Sequence, residues 1–337
     1  MFQRILVPLD GSTRAEQALP VAARLVHASS GTIVLLRVVN FPNQFVSYVA
    51  LEPMTTQAVI DTQLEEAKNY LAHLARSNDL INVHTETEVM VGQPAVNILS
   101  FVDTRNIDLV VMCSHGYTGM ARWAFGNVAE KVAHHSSVPV LLLREEKPLL
   151  AGLHPNGGST LRALIPLDGS VLALTAIAPA AQLVAAVSAP GAGALHLTQV
   201  VVMPGRGEIS HTEREAILQQ AKQNLSATVE EMRAGLIAAP GIDHRLSVTW
   251  SVTIGDDIAA GIARMAENGE DVEGGGVFEG CDVIAMATHG YSGLQRWAVG
   301  SITERVLHAT RLPLLIVRPT DVVPREHQAA DQPIETE

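Results

Sequence analysis

Two stretches of the chain carry nearly the same text. Ser114–Asn127 reads SHGYTGMARWAFGN and Thr288–Ser301 reads THGYSGLQRWAVGS, with eight of fourteen positions identical. Each closes on a glycine, Gly126 or Gly300, followed by a small polar residue, Asn127 or Ser301, where a helix is expected to start. The first N–H groups of a helix have no partner within it and carry partial positive charge. A glycine there lets an anion approach the backbone closely, so the pattern fits phosphate binding. It also fits plain capping: Ser301–Glu304 reads as a capping box and Asn127–Glu130 as its near variant. His115 and His289 read as structural loop histidines. Trp123 and Trp297 suit packing, and Arg122 and Arg296 suit screening of phosphates.

A second repeated element lies upstream of each copy. RILVPLDGS at Arg4–Ser12 returns as RALIPLDGS at Arg162–Ser170. Asp10 and Asp168 sit in a turn where aspartate bonds the backbone. A buried carboxylate at a strand end could equally accept from an adenine amino group or a ribose hydroxyl. The chain holds no G-x4-GK[ST], no paired nucleophile and base, and no carboxylate cluster suited to Mg2+. No catalytic residue and no metal ligand is therefore expected.

The elements that position these residues are repeated too. LLRVV at Leu35–Val39 returns as LTQVV at Leu197–Val201, and VGQP at Val91–Pro94 as IGDD at Ile254–Asp257. Order is kept throughout, so the chain is a tandem duplication. In the first copy the pattern predicts strands at Ile5–Leu9, Thr32–Val39, Asn82–Val91, Ile107–Cys113 and Val138–Leu143. Helices are predicted at Arg14–Ala28, kinked or locally unwound by Pro20 as its partner is by Pro179, and at Thr55–Ser77, Ala95–Thr104 and Asn127–His135. Strands alternating with helices mean βαβ units and a parallel sheet covered on both faces. The second copy carries an acidic, glycine-rich insert, Asn268–Gly280, read as a surface loop. The expected division is domain 1 at 1–146, a linker at 147–160, domain 2 at 161–319 and an acidic tail at 320–337.

Composition agrees with two α/β domains. Hydrophobic residues make up 47 % and aromatics only 4 % of 337 residues, so the cores are built from Val, Leu, Ile and Ala. A formal charge of −12 argues against sequence-independent nucleic-acid binding. Cys113 and Cys281 have no metal or disulfide spacing, which suits a reducing compartment. The uncharged run Val171–Leu195 is long enough to suggest a membrane span but is cut by Pro179, Pro190, Gly191 and Gly193. It is read as a buried helix, a turn and the start of a strand. With no leader pattern before Ile5, the expected location is cytoplasmic, without membrane contact.

With both elements in order, the sequence resembles a tandem universal stress protein. The resemblance spans about 1–145 and 160–320. The family motif, G-x2-G-x9-G-[S/T] after a Val-Pro-x-Asp-Gly-Ser turn, is met in the second half by Ala287, Gly290, Gly300 and Ser301, where only the first glycine departs. In the first half it is met by Cys113, Gly116, Gly126 and Asn127, with two departures. The resemblance implies a Rossmann-like, five-stranded sheet in order 3-2-1-4-5 in each domain. It also implies an adenine nucleotide (ATP, ADP or AMP, with or without Mg2+) between strands 1 and 4. Pro8 with Asp10 and Pro166 with Asp168 would hold the adenine or ribose side. Val38 with Met112 and Val200 with Met286 would line the base. Gly116, Gly126 and Asn127 would hold the phosphates in one site, and Gly290, Gly300 and Ser301 in the other; Cys113, His115 and Val128, and Ala287, His289 and Ile302, would also border the nucleotide. Family members commonly dimerise through the last strand, so an internal pseudo-dimer and a homodimer are both expected. The functional expectation is a nucleotide-binding stress or signalling module with little intrinsic turnover and an unidentified protein partner. Its competitors are a scaffold that binds no nucleotide and a slow ATP hydrolase.

Overall fold

The computed structural model describes residues 1–41, 53–114, 126–144, 149, 160–203, 210–235, 237, 246–272, 276–278, 280–288 and 300–319. The first half runs β1 (Arg4–Leu9), α1 (Thr13–Glu16), α2 (Ala18–His27), β2 (Thr32–Val39), α3 (Pro53–Leu74), β3 (His84–Val91), α4 (Pro94–Thr104), β4 (Leu109–Cys113), α5 (Asn127–His135) and β5 (Val140–Leu143). The second half repeats it with β6 (Leu161–Pro166), α6 (Val171–Leu174), α7 (Ile177–Ser188), β7 (Gly193–Val201), α8 (His211–Arg233), β8 (Leu246–Ile254) and α9 (Ile258–Asn268). It then adds β9 (Glu270–Val272) and β10 (Gly276–Phe278) before β11 (Val283–Ala287), α10 (Ser301–Ala309) and β12 (Leu314–Val317).

All strands but β9 and β10 form one sheet of ten, in order β3-β2-β1-β4-β5-β12-β11-β6-β7-β8. Each half is thus parallel in order 3-2-1-4-5. The halves meet where β5 and β12 pair antiparallel, Leu314 opposite Leu142 and Ile316 opposite Val140. Every residue of both strands is buried. An apolar, unpaired strand edge invites association; here each half covers the other's. The arginine after each strand reaches across the seam to a helix C-terminus of the opposite half. Arg144 donates to the carbonyl of Leu307, and Arg318 to that of His135. Cations at the last, unpaired carbonyls of a helix are favourable.

Three readings change. The helix expected at Arg14–Ala28 is two helices broken at Gln17, and the break recurs between α6 and α7. Pro20 and Pro179 are each the third residue of the following helix, where a missing N–H breaks no bond. The insert at Asn268–Gly280 is not only a loop: Glu270–Val272 and Gly276–Phe278 pair antiparallel, with Phe278 opposite Glu270. The last strand of the first half starts at Val140, later than expected, and a hydroxyl holds the turn before the last strand in each half. Ser136 Oγ accepts from the Val138 N–H, and Thr310 Oγ1 from that of Leu312. Most of the linker and the tail after 319 lie outside the described residues.

The uncharged run enters the core. Val171–Ser188 has a mean hydropathy of 1.9, apolar enough by composition to cross a membrane. In the fold Ile177, Ala180, Leu183 and Val184 are sealed from solvent against the sheet. Beyond it, His196 on β7 is completely buried. Its Nδ1 lies 2.8 Å from Thr249 Oγ1 and its Nε2 2.9 Å from Ser251 Oγ. Hydroxyls satisfy a neutral ring, and burial, helped by the charge of Arg162, pulls its pKa down to about 4.

Two expectations follow. A group whose folded pKa lies below its unfolded value of 6.5 stabilises the fold fully above 6.5. That stability is lost as pH falls from there toward 4, by about 3 kcal/mol at 1.36 kcal/mol per unit. Urea unfolding at pH 7.5 and 4.5 should show this loss in the natural chain, and a correspondingly smaller one in His196→Asn, which cannot take the proton. Separately, residues 1–148 alone expose β5. They should dimerise or aggregate in light scattering, and a stable monomer would show that the seam is dispensable.

Candidate functional site

The site forms where β1 and β4 part. β1 pairs with β2 over six residues but with β4 over only two, Ile5 with Leu109 and Leu6 with Val110. β6 and β11 likewise pair at only Val283–Ala163 and Ile284–Leu164. A carboxylate holds the lower end together in each half. Asp108 accepts from the N–H of Gln3 at 2.6 Å, and Asp282 from that of Arg162 at 2.7 Å. Beyond these two pairs β1 and β4 run on without pairing, and the crevice lies between their carboxyl ends, at the point where strand order reverses.

Each crevice is a cavity. The first, of about 430 Å³, is lined by Pro8, Asp10, Val38, Met112, Cys113, Gly126, Asn127 and Val128, among others. The second, of about 450 Å³, is lined by Pro166, Asp168, Val200, Met286, Ala287, Gly300, Ser301 and Ile302, among others. Both fall within the usual range for small-molecule sites, about 300–1,000 Å³. Every expected site residue that is described lines its cavity. His115, Gly116, His289 and Gly290 lie outside the described residues, as do Arg122, Trp123, Arg296 and Trp297.

One end of each cavity is a helix start. The N–H of Gly126 donates to the carbonyl of Ser114 at 3.0 Å, and that of Gly300 to Thr288 at 2.6 Å. This bond pins the helix against the end of β4 or β11. The glycines, not Asn127 and Ser301, are the N-caps, and neither helix has a side-chain cap. The capping reading of Asn127 and Ser301 is therefore overturned. Both are first helical residues, exposed at the mouth of the cavity. The N–H groups of the first turn have no partner within the helix.

The other end is the aspartate turn. Asp10 Oδ1 accepts from the N–H of Ser12 at 2.9 Å and from its hydroxyl at 2.6 Å. Asp168 Oδ1 accepts from the N–H of Ser170 at 2.9 Å. Contrary to the expectation of buried carboxylates, both are exposed. Gly11 and Gly169, with φ of +86° and +83°, allow this turn. Ser12 and Ser170 then cap the short helices α1 and α6.

The wall between the ends is apolar. Leu36, Ile98 and Met112 line the first cavity, and Val200, Ile262 and Met286 the second, all buried. Ile98 and Ile262, like Ala15 and Ala173, were missed by sequence reasoning, since an apolar residue on an amphipathic helix carries no sign of facing a ligand. Gln199 was missed as well: it lines the second cavity, and its buried Oε1 has no hydrogen-bond partner among the described residues. The two cysteines differ. Cys113 is half-exposed on the cavity wall, its thiol donating to the carbonyl of Arg14 at 2.9 Å. Burial pushes the Cys281 thiol up to about 12.

The universal stress protein family matches residues 1–144 and again 160–318. The chain belongs to the universal stress protein family. A universal stress protein of Methanocaldococcus jannaschii is 28 % identical over 148 residues, which is 44 % of this chain and 85 % of the relative. One from Thermus aquaticus is 30 % identical over 145 residues, 43 % of this chain and all of the relative. Each relative thus matches less than half of this tandem chain. Over the whole length it is similar to the crystal structure of a universal stress protein from Archaeoglobus fulgidus, with TM-score 0.62 and 20 % identity, covering 94 % of this chain and 98 % of that one. A second similar structure, from Pseudomonas aeruginosa, has TM-score 0.59 at 14 % identity, covering 94 % of each chain. Both show the shared α/β fold.

The thiols provide a direct check on the first cavity. A thiol-reactive dye should label one cysteine, Cys113, in the native protein and two after unfolding in urea. Rapid native labelling of Cys281 would contradict its burial.

Proposed function

We propose that each half binds one adenine nucleotide in its crevice, and that the chain is a nucleotide-responsive binding module rather than an enzyme. The observation that carries this is the pairing of opposite chemistries within each cavity. At one end stand an uncapped helix N-terminus and a close-approach glycine, suited to phosphates. Between the ends runs an apolar wall of a size for a base. At the far end an exposed aspartate remains, able to accept from a hydroxyl or amino group. The buried amide oxygen of Gln199, without a partner among the described residues, adds a further group that a ligand in the second cavity would satisfy.

In this reading Asn127 and Ser301 bond phosphate oxygens with the first-turn N–H groups. Val38 with Met112, and Val200 with Met286, sandwich the base. Asp10 and Asp168 orient the sugar. ATP approaches a chain of charge −12, so these local donors work against an unfavourable long-range field. No described side chain on either wall is arranged as a base to activate water, so turnover should fall far below the common enzyme rate of about 10 per second.

Titration calorimetry with ATP should give two sites per chain. Gly126→Val and Gly300→Val, which each set a branched side chain at a helix start, should leave one apiece. A Cβ at Gly300 already meets the carbonyl of Thr288 at 3.1 Å. Saturating ATP should also slow the labelling of Cys113. No binding of ATP, ADP or AMP by the folded chain would leave the scaffold reading in its place.

A further inference from the structure

The two halves are not equivalent beyond their phosphate ends. In the first, a further cavity of about 310 Å³ adjoins the crevice and shares Pro94, Asn127 and Val128 with it. Its wall also carries Asn40, Gln93 and Lys131. Lys131 lies four residues after Asn127 on α5, hence on the same helix face. It is exposed, and it has no ion pair or hydrogen bond among the described residues.

The aligned residue in the second half is Arg305, and it is engaged. Its guanidinium pairs with Asp257, the N-cap of α9, whose other oxygen accepts from the N–H of Ala260 at 2.8 Å. The first-half position aligned with Asp257 is Pro94, which has neither charge nor N–H. One exchange of acid for proline therefore leaves Lys131 without the local counter-charge that Arg305 has. A cation paired to a carboxylate has little left for a second anion, whereas an unpaired lysine beside a cavity is a point charge for one.

We infer that the cavity around Lys131 is a distal-phosphate subsite, so that the first half selects nucleoside polyphosphates while the second binds ATP and AMP nearly alike. The inference rests on the nucleotide reading of the crevices. A polyphosphate chain that starts at the α5 N-terminus continues past Asn127 into this cavity, where Lys131 meets the charge that AMP lacks. Among the described residues, the second half offers only the neutralised Arg305–Asp257 pair at that place.

Protection of Cys113 from alkylation reads the first site alone, in the full chain. ATP should protect it at about tenfold lower concentration than AMP, the effect of one charge-assisted contact. Lys131→Gln should abolish that ratio by weakening ATP and leaving AMP within twofold, and Lys131→Arg should retain it. Asp257→Asn keeps the helix cap and frees Arg305, so calorimetry should show tighter ATP binding at the second site. An ATP-to-AMP ratio unchanged in Lys131→Gln, with ATP still protecting, overturns the subsite and leaves nucleotide binding standing. If neither nucleotide binds the natural chain, the nucleotide reading itself fails and the subsite falls with it.

Discussion

The fold depends on how briefly β1 and β4 touch. Two residue pairs, closed below by the carboxylate of Asp108, hold these strands at one end and let them part at the other. Had they paired over the full six residues of β1, the crevice would be filled by sheet and the helix start at Gly126 would face nothing. The constraint comes from topology. The chain leaves β1 for β2 on one side and leaves β4 for β5 on the other, so connections diverge above this pair alone. The second half repeats the arrangement with Asp282, which makes the cavity a property of the repeat and not of a particular loop.

Much of this was legible in the sequence because the signals were doubled. Apolar β-branched runs marked the strands, and agreement between copies located the turn and the glycine loop before any geometry was known. The expected site residues of those two elements that are described all came to the cavity wall. What remained hidden was decided by contacts between elements. The helix starts were placed correctly, but the cap was misassigned by one residue: Ser301–Glu304 satisfies the local capping pattern, whereas the N-cap is Gly300, whose N–H donates to the Thr288 carbonyl. The hairpin in the insert was missed because three-residue strands around glycines show no alternation. Ile98 and Ile262 could not be told from ordinary core residues until the sheet placed them beside the crevice.

The polar contacts across the outer strands follow the same divergence between repeats. In the first half Arg4 on β1 reaches Glu86 on β3, Nη1 to Oε1 at 2.9 Å, across Val34 on the strand between them. In the second half Thr249 stands where Glu86 would, His196 replaces Val34, and Arg162 turns instead to the carbonyl of Gly280. Both solutions satisfy a cation at the same place. Only one buries an imidazole, and so only one half carries the acid sensitivity derived from it.

The antiparallel seam between β5 and β12 has a consequence for how the chain can evolve. When two separate copies of one polypeptide meet at such a seam, rotational symmetry forces their sites to be the same. Every substitution then appears in both at once. Tying the copies end to end keeps the seam, makes its closure independent of dilution, and releases the two sites from identity. Cys113 beside Ala287, Arg37 beside Gln199 and Lys131 beside Arg305 are differences that no symmetric pair could hold. The chain keeps the seam of a dimer and has gained the freedom to hold two unlike sites.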